Sequence, residues 1–315
     1  MTIDRFEKMR ELIVEADNCG LLKECKDLSG YSGLKLIGAL QRIARTQENA
    51  GAGHYLEVGV FQGLTLVSVA ACLQEVTAFG VDNFSQFDPD GLNQRVVMNR
   101  AAANGISNLE LLNLDYEDAL ENLQDYVGDQ KIGTYFVDGP HDYRSQLMCL
   151  LLAKPFLSPL SVIVVDDCNY RHVRLANRDF LVANPEFKLF FESYTRCHPG
   201  NMDPEDVAQA RIGWWNGVNV IVRDPENILN TMYPDTYRDR TLFENEHLVQ
   251  SSKYAEYAPE LVSLAQSITS ISPILAAKNL VKVFRKRKNI KDCVRNRYRS
   301  MDTYSEHLSK NRFNL

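Results

Sequence analysis

The feature that most constrains the fold is a regular alternation of short apolar runs with longer segments of helical periodicity. Seven runs of strand length occur between residues 54 and 222, and several are apolar without alternation. They are residues 54–60, 77–82, 109–114, 134–138, 161–166, 187–192 and 218–222. Uninterrupted apolar runs are typical of strands that are covered on both faces. The pattern predicts an α/β fold with a doubly wound, mostly parallel, seven-stranded sheet.

Helical patterns fill the intervals between the runs and extend beyond both ends of the series. The predicted helices between strands are residues 64–73, 94–104, 116–126, 143–152 and 173–183. Apolar residues also recur at helical spacing in the first 48 residues and again beyond residue 260. Asp224-Pro225 follows the last run and indicates a boundary. We therefore expect a helical N-terminal segment (1–48), a central domain (49–223) and a C-terminal extension (224–315).

Charge is unevenly distributed along the chain. The net charge of the 315 residues is −6, but residues 278–315 carry 12 Lys/Arg against 3 Asp/Glu. The remaining body is therefore acidic, which argues against a nucleic-acid surface over the whole chain. The basic, amphipathic tail (274–299) is open to several interpretations. We expect it to dock on the acidic body or on a second subunit, or to remain a solvated face; peripheral membrane contact and nucleic-acid binding are the alternatives.

The cysteines and the N-terminus bear on the cellular compartment. Seven scattered cysteines form no CxxC pair, which favours reduced thiols over disulfides or a zinc site. The charged N-terminus lacks the apolar block of a signal peptide. No run reaches the roughly 18 apolar residues of a membrane-spanning helix. We expect a cytoplasmic protein without a transmembrane segment.

A glycine loop follows the first predicted strand, in the sequence Glu57-Val-Gly59-Val-Phe-Gln-Gly63. Glycines at such a turn allow a ligand to approach the backbone closely. The dinucleotide pattern G-x-G-x-x-G does not fit, because the middle glycine is missing and Phe61 stands in the loop. The carboxylate of Glu57 suits a cationic or zwitterionic ligand better than a pyrophosphate. Asp82 ends the next strand, 19 residues beyond Gly63, where it could accept hydrogen bonds from ribose hydroxyls.

This loop resembles motif I of the class I S-adenosylmethionine (SAM)-dependent methyltransferases. The resemblance implies a Rossmann-like fold, with Glu57 and Gly59 facing the methionine portion and Thr65 binding its carboxylate. It also implies that Asp82 holds the ribose and that Asp115 lies beside the adenine. The remaining predicted cofactor-binding residues are Phe61, Gly63, Asn83, Tyr116 and Asp138. An NAD-binding or ligand-free Rossmann fold is the alternative.

A second group of polar residues ends the fourth and fifth predicted strands. Asp138 closes the fourth run, His141 stands three residues later, and Asp166-Asp167 close the fifth run. Neighbouring parallel strands lie about 4.8 Å apart, so these carboxylates can converge on one ion. Oxygen ligands of this kind select Mg²⁺ or another hard divalent cation. His141 would then be the general base and Asp138 part of the catalytic group, with Asp138, Asp166 and Asp167 as metal ligands.

These motifs resemble the metal-dependent small-molecule O-methyltransferases over residues 50–222. The V-D-G-x-H-x-Y segment and the D-D pair are similar to those of macrolide-sugar O-methyltransferases and of the cephalosporin hydroxylase and rhamnosyl O-methyltransferase group. Pro140 departs from that pattern, since many of those proteins have an acidic residue there. The plainer interpretations are that His141 is a helix N-terminal histidine without chemistry and that Asp166-Asp167 cap a helix.

Residues 194–215 form a long insertion between the last two strands, and such an insertion can cover a substrate pocket. Trp214 and Trp215 would stack on a sugar or aromatic ring, although packing against the last strand is the expectation we favour. Together these features predict an O-methyltransferase that uses SAM and a divalent cation on a hydroxyl of a small, sugar or natural-product-like molecule, in a homo-oligomer. The alternatives are a metal-independent methyltransferase and a SAM-fold binding protein without methyl transfer.

Overall fold

The computed structural model describes residues 3–236 and 258–294, and its first unit is built on one seven-stranded sheet. The strands are β1 (His54–Val58), β2 (Ala78–Val81), β3 (Leu109–Leu112), β4 (Ile132–Val137), β5 (Leu157–Val165), β6 (Phe187–Ser193) and β7 (Val218–Arg223). Their order is β3-β2-β1-β4-β5-β7-β6, and every pair is parallel except the two that β7 makes with β5 and β6. The predicted mostly parallel, Rossmann-like sheet is confirmed.

Two helices precede the sheet and the others connect its strands, and the periodicity predicted all of these positions except that of the last helix, which lies in the insertion between β6 and β7. They are α1 (Ile3–Cys19), α2 (Leu34–Asn49), α3 (Leu64–Ala70), α4 (Asn93–Ala103), α5 (Tyr116–Glu121), α6 (Gln124–Val127), α7 (Tyr143–Ala153), α8 (Arg171–Ala183) and α9 (Pro204–Ile212). The single helix predicted over 116–126 is wrong in one respect, because it is divided into α5 and α6. The Asn122 amide donates to the Asp118 carbonyl at 2.8 Å, and such side-chain bonds compete with helix continuation.

Two apolar cores lie on opposite faces of the sheet, and strand residues alternate between them. On β5, Val162 and Val164 belong to one core, whereas Ile163 and Val165 belong to the other. This alternation follows from the two-residue period of a strand. Because both faces are covered, the strands tolerate apolar residues at every position, as the sequence pattern indicated.

The predicted N-terminal helices form part of the first core. Phe6, Met9 and Ile13 of α1 are buried there together with Leu36 and Leu40 of α2. The spacing of these residues places them on one stripe of each helix. The helical N-terminal addition therefore contributes to the core that supports the sheet.

The chain divides into two compact units, residues 1–237 and 238–315. Within the first unit, the segment after β7 stays attached, since the Asp224 carboxylate accepts from the Ile228 and Leu229 amides and Arg174 donates to the Asp235 carbonyl. The predicted boundaries at 48 and 223 stay a prediction.

The second unit is described over a helical hairpin of α10 (Ala258–Thr269) and α11 (Pro273–Val294). Asn279 of α11 is buried and donates to the Ser263 carbonyl of α10, and Lys286 pairs with Glu260 at 2.9 Å. The predicted basic helix is confirmed over 274–294, and its last five residues lie outside the described part of the chain. Among the described residues, no helix has the length and apolarity needed to cross a membrane. In the first unit, Cys19, Cys25, Cys72, Cys149, Cys168 and Cys197 are free thiols.

Candidate active site

The glycine loop crosses the end of β4, and this crossing requires glycine. Gly59 has φ +92, and a Cβ there would lie 1.9 Å from the Asp138 carbonyl oxygen. Gly63, with φ +78, precedes the first turn of α3. Both positions use conformations that are costly for other residues. The predicted cofactor loop and the predicted Asp138 site are therefore in backbone contact.

Glu57 lies at the floor of this loop and is completely buried. Its carboxylate accepts from the Tyr55 hydroxyl and from the Thr65 hydroxyl, each at 2.6 Å. Burial raises the pKa of Glu57 to about 8, although both hydrogen bonds act in the opposite direction. A cation that approached Glu57 would favour its ionised form. The Thr65 hydroxyl proton is engaged with Glu57, so its predicted contact with a methionine carboxylate stays a prediction.

Asp82 holds the glycine loop from the end of β2. Its Oδ2 accepts from the Val60 and Phe61 amides at 2.9 and 2.8 Å, and its Oδ1 accepts from the Phe84 amide at 2.7 Å. The carboxylate therefore fixes the loop in the described structure. The sequence analysis assigned Asp82 to the ribose of the cofactor, and that role stays a prediction. Oδ1 accepts one hydrogen bond in the described structure, so its second lone pair remains available for a ribose hydroxyl.

Three predicted cofactor-binding residues, Asn83, Asp115 and Tyr116, follow the ends of β2 and β3. The Asn83 amide donates to Asp115 at 3.3 Å, and Asp115 accepts from the Glu117 amide as the N-cap of α5. The Tyr116 hydroxyl donates to Glu117 at 2.8 Å. Asn83 and Asp115 are therefore neighbours at the same edge of the sheet as the glycine loop, as the strand-end argument predicted.

A cluster of ionisable side chains lies at the ends of β4 and β5. Asp138, His141 and Asp167 each place one ligand-type atom within 4.8 Å of the others. The His141 Nε2 is 2.5 Å from the Asp167 Oδ2. β4 and β5 are neighbours in the sheet, which confirms the adjacency on which the predicted convergence depended.

Asp166 has a different orientation from Asp167. Its Oδ1 accepts from the Asp167 amide at 2.7 Å, whereas its buried Oδ2 has no hydrogen-bond partner. Asp167 has a left-handed backbone with φ +56, which is uncommon for a residue other than glycine. Asp166 is absent from the three-residue cluster in the described chain, so its role as a metal ligand stays a prediction.

The electrostatics of this edge favour a bound cation. Burial raises the pKa of Asp138 well above its usual range. The charges that add to this effect are those of Asp166, Asp167, Glu57 and Asp82. Burial and the Asp167 charge likewise raise the pKa of Asp166. Acidic oxygens held this close are stabilised by protons or by a cation. The unpartnered Asp166 Oδ2 is consistent with the latter, and the donor set fits a divalent ion.

One residue that the sequence argument missed completes this group. The Asn216 side-chain amide is completely buried and donates from Nδ2 to the Asp167 Oδ1. β7 runs antiparallel to β5, so the residues just before β7 lie beside those just after β5. The assumption that the last strand is antiparallel would have placed Asn216 beside Asp167. The alternation of predicted strands and helices indicates parallel strands and does not predict this contact.

A cavity of about 330 Å³ opens beside the cluster. Its lining includes Tyr170, Tyr194, Thr195, Cys197, His198 and Asn216. The Tyr170 ring stacks on His141, with centroids 4.9 Å apart and planes 10° apart. The predicted insertion thus supplies one wall of a cavity whose size is that of a small-molecule pocket.

The two tryptophans of the insertion have different environments. Trp214 packs on Phe191 of β6, with ring centroids 5.1 Å apart, and its Nε1 donates to Asp17 of α1. The sequence analysis favoured packing, although against the last strand rather than β6, and stacking on a ligand stays the alternative. Trp215 instead lies 6.3 Å from Tyr31, whose ring is 5.4 Å from Phe61 of the glycine loop. A row of aromatic rings therefore connects the cofactor loop to the residue that precedes Asn216.

Arg100 of α4 attaches the N-terminal loop to the glycine loop. Its guanidinium donates to the carbonyls of Ser29 and Gln62 and to the Ser29 hydroxyl, at 2.7 to 2.9 Å. Gly33 of the same N-terminal loop lies so close to Gly213 that a Cβ would be 2.1 Å from its carbonyl oxygen. The N-terminal loop thus joins the two sides of the candidate site.

Residues 56–168, about a third of the chain, match a family model described as a methyltransferase domain (Methyltransf_24). The chain contains a methyltransferase domain. The match spans the glycine loop, Asp138, His141 and the Asp166-Asp167 pair, and the strand order is that of the Rossmann-like methyltransferase fold. The class predicted from motif I, a SAM-dependent methyltransferase, is confirmed.

Two solved structures are similar to this methyltransferase. One is the O-methyltransferase TomG from Streptomyces achromogenes, involved in tomaymycin synthesis and solved with SAM (16% identity, 70% of this chain, 89% of that chain, TM-score 0.48). The other is an O-methyltransferase from Bacillus cereus in complex with SAH (15% identity, 70% of this chain, 91% of that chain, TM-score 0.44). None of the curated proteins compared with the sequence matches it. The acceptor therefore has to be argued from the site itself.

Proposed function

We propose that this methyltransferase transfers the SAM methyl group to a hydroxyl oxygen of a small molecule, with His141 as general base. The observation that carries the proposal is the cluster of Asp138, His141 and Asp167, which lies against the cofactor loop through the contact of Gly59 with Asp138. SAM supplies an electrophilic methyl group, so the protein has to position the acceptor oxygen and remove its proton.

The cofactor is assigned to the loop between β1 and α3. Glu57 would face the cationic part of SAM, and Asp82 and Asp115 would lie along the ribose and adenine. Val60 and Phe61 are fixed by Asp82, so the loop is ordered before the ligand arrives. Phe61 adds an apolar surface at the point where a dinucleotide pyrophosphate would need bare backbone.

Asp138 and Asp167, with Asp166 beside them, would hold a divalent cation such as Mg²⁺. Such an ion lowers the pKa of an oxygen that it binds. His141 accepts the hydroxyl proton at one ring nitrogen, and the contact of Nε2 with Asp167 favours the cationic ring that results. Tyr170 stacks on that ring and keeps it in one orientation.

The cavity lined by Tyr170, Tyr194 and His198 would receive the acceptor. Aromatic rings provide apolar faces, and the hydroxyl and amide groups around them provide hydrogen bonds. This combination suits a polyhydroxylated or natural-product-like molecule that carries both kinds of surface.

His141→Ala and Asp166→Ala test the mechanism, with His172→Ala as the matched control outside the cluster. S-adenosylhomocysteine release would be measured with Mg²⁺ over a panel of sugar and phenolic acceptors, and SAM affinity by calorimetry. We expect His141→Ala to lower turnover by about 10² to 10⁴-fold while SAM affinity is retained. If His141→Ala and Asp166→Ala both keep wild-type turnover and SAM binding, the proposal is wrong.

A metal-independent methyltransferase is the second candidate, and one observation favours it. The 2.5 Å contact between His141 and Asp167 forms a histidine–carboxylate pair that could remove a proton without a metal. Turnover measured after EDTA treatment separates the two candidates. Loss of activity that Mg²⁺ restores supports the metal-assisted mechanism, and activity that survives EDTA supports the pair acting alone.

A further inference from the structure

The Asn216 side chain contacts the candidate site through one of its two polar atoms. Its Nδ2 donates to the Asp167 Oδ1, and the other Asp167 oxygen faces His141 at 2.5 Å. Its Oδ1 is buried without a hydrogen-bond partner. Because a carboxylate only accepts hydrogen bonds, this contact fixes which end of the amide faces Asp167.

The backbone around Asn216 is held rigidly against the end of β5. The Asn216 carbonyl accepts from the Asn169 amide at 2.9 Å, and the Gly217 carbonyl accepts from the Cys168 amide at 3.1 Å. Gly217 has φ +85, and a Cβ there would lie 2.6 Å from the Asn169 Oδ1. The Asn169 side chain in turn binds Thr195 of the insertion. The amide of Asn216 therefore has little freedom to move away from Asp167.

Two other buried asparagines nearby have side-chain amides whose hydrogen bonds are complete, as expected for a purely structural role. Asn177 donates to Asn219, and Asn219 donates to the Tyr194 hydroxyl and to the Val218 carbonyl. The Asn177 oxygen also accepts from Gln146. Both residues are satisfied at their nitrogen and at their oxygen. Asn216 instead leaves a buried oxygen unpaired, which costs stability, and unpaired buried groups of this kind call for an explanation.

We propose that Asn216 is a positioning residue, which restrains one oxygen of Asp167 so that the other faces His141 and the bound cation. This inference rests on the proposed metal-assisted function. Without the amide, the Asp167 carboxylate could rotate about its terminal bond and present its oxygens differently. Outer residues that orient a ligand carboxylate typically contribute 10- to 100-fold in metal affinity.

The test compares Asn216→Leu with Asn219→Leu, two near-isosteric changes at buried positions three residues apart. Mn²⁺ binding to the full-length protein would be followed by electron paramagnetic resonance, and stability by thermal unfolding. We expect Asn216→Leu to weaken Mn²⁺ binding to the folded protein about 10- to 100-fold, whatever its effect on Tm. We expect Asn219→Leu to lower Tm, since it breaks the bonds with Asn177 and Tyr194, and to leave the Mn²⁺ affinity of the folded protein unchanged.

The outcomes separate this inference from the proposed function. Wild-type protein that binds no Mn²⁺ would contradict the metal-assisted mechanism itself. Wild-type binding together with equal binding by Asn216→Leu would overturn the positioning role alone. If Asn216→Leu does not fold, Asn216→Ala replaces it in the same titration, and unchanged Mn²⁺ affinity in that variant would overturn the inference equally.

Discussion

Replacing Glu57 by glutamine tests the electrostatics of the cofactor loop most directly. The buried carboxyl has a pKa raised from its usual 4.5 to about 8. Because the folded pKa lies above the unfolded one, the contribution of Glu57 to stability is present below pH 4.5. It is lost as the pH rises through about 8, since only the unfolded chain releases the proton in that interval.

The magnitude follows from the size of the shift. Each pKa unit corresponds to about 1.4 kcal/mol, so Glu57 lowers the free energy of unfolding by about 3 kcal/mol between pH 5 and pH 7.5. Glutamine does not titrate, so Glu57→Gln lacks this loss. The free energy of unfolding of the variant, relative to that of wild type, should therefore increase by about 3 kcal/mol across the same pH interval. In a domain of this size that corresponds to a relative rise in Tm of roughly 6–12 °C.

The assay is thermal and urea unfolding of both proteins without SAM, at several pH values from 5 to 8.5. Glu110→Gln, at an exposed position of β3, is the control and should follow wild type at every pH. SAM affinity measured by calorimetry at pH 7.5 should fall about 10- to 100-fold in Glu57→Gln, because a charged hydrogen-bonding partner is lost. If wild type and Glu57→Gln show the same pH dependence of stability, the argument from burial is refuted.

Three further substitutions test the framework around this residue. Gly59→Ala should lower the free energy of unfolding by more than about 3 kcal/mol and abolish SAM binding, because its Cβ meets the Asp138 carbonyl. In the same urea titration Gly51→Ala, which has positive φ but open space, should cost only about 1 kcal/mol. Asp82→Asn should speed amide exchange at residues 60 and 61 by about tenfold in hydrogen-exchange mass spectrometry; unchanged exchange would contradict the clamp. Arg100→Ala should make residues 29–33 more susceptible to limited proteolysis, whereas an unaltered digestion pattern would show that its hydrogen bonds do not hold that loop.

The fold was predictable because its signals are local and repeated. Each apolar run on β1, β4 and β5 is long enough for a strand and too short for a helix, and helical periodicity separates consecutive runs. The direction of β7 was not predictable in this way. Nothing in residues 218–223 distinguishes an antiparallel strand from a parallel one, since both are covered on two faces and both read as apolar. The division of α5 from α6 was also not predicted, and the Asn122 side chain bonds the Asp118 carbonyl at that point.

The candidate site was predictable where chemistry coincides with strand ends. Asp138, His141 and Asp167 follow the ends of two neighbouring strands, so a linear rule about sheet edges was sufficient to bring them together. The rule does not identify Asn216, because this residue precedes a strand rather than following one. The rule also does not show which of the two consecutive carboxylates joins the cluster, and in the structure Asp167 joins it whereas Asp166 accepts from the Asp167 amide.

The acids at this edge of the sheet make folding less favourable and ligand binding more favourable for the same reason. Glu57 and Asp138 are held where burial and neighbouring charges disfavour ionisation. In the free protein, protons neutralise these carboxylates. A cation that enters the site takes over that role, and the protons are released. Linkage then requires SAM affinity to increase as the pH rises toward about 8, the pKa of Glu57 in the free protein. Near that pH a larger fraction of Glu57 is already ionised before SAM binds. In Glu57→Gln the increase of SAM affinity with pH should be reduced. The higher free energy of unfolding of this variant and its weaker SAM binding therefore have the same cause, the loss of the buried carboxylate.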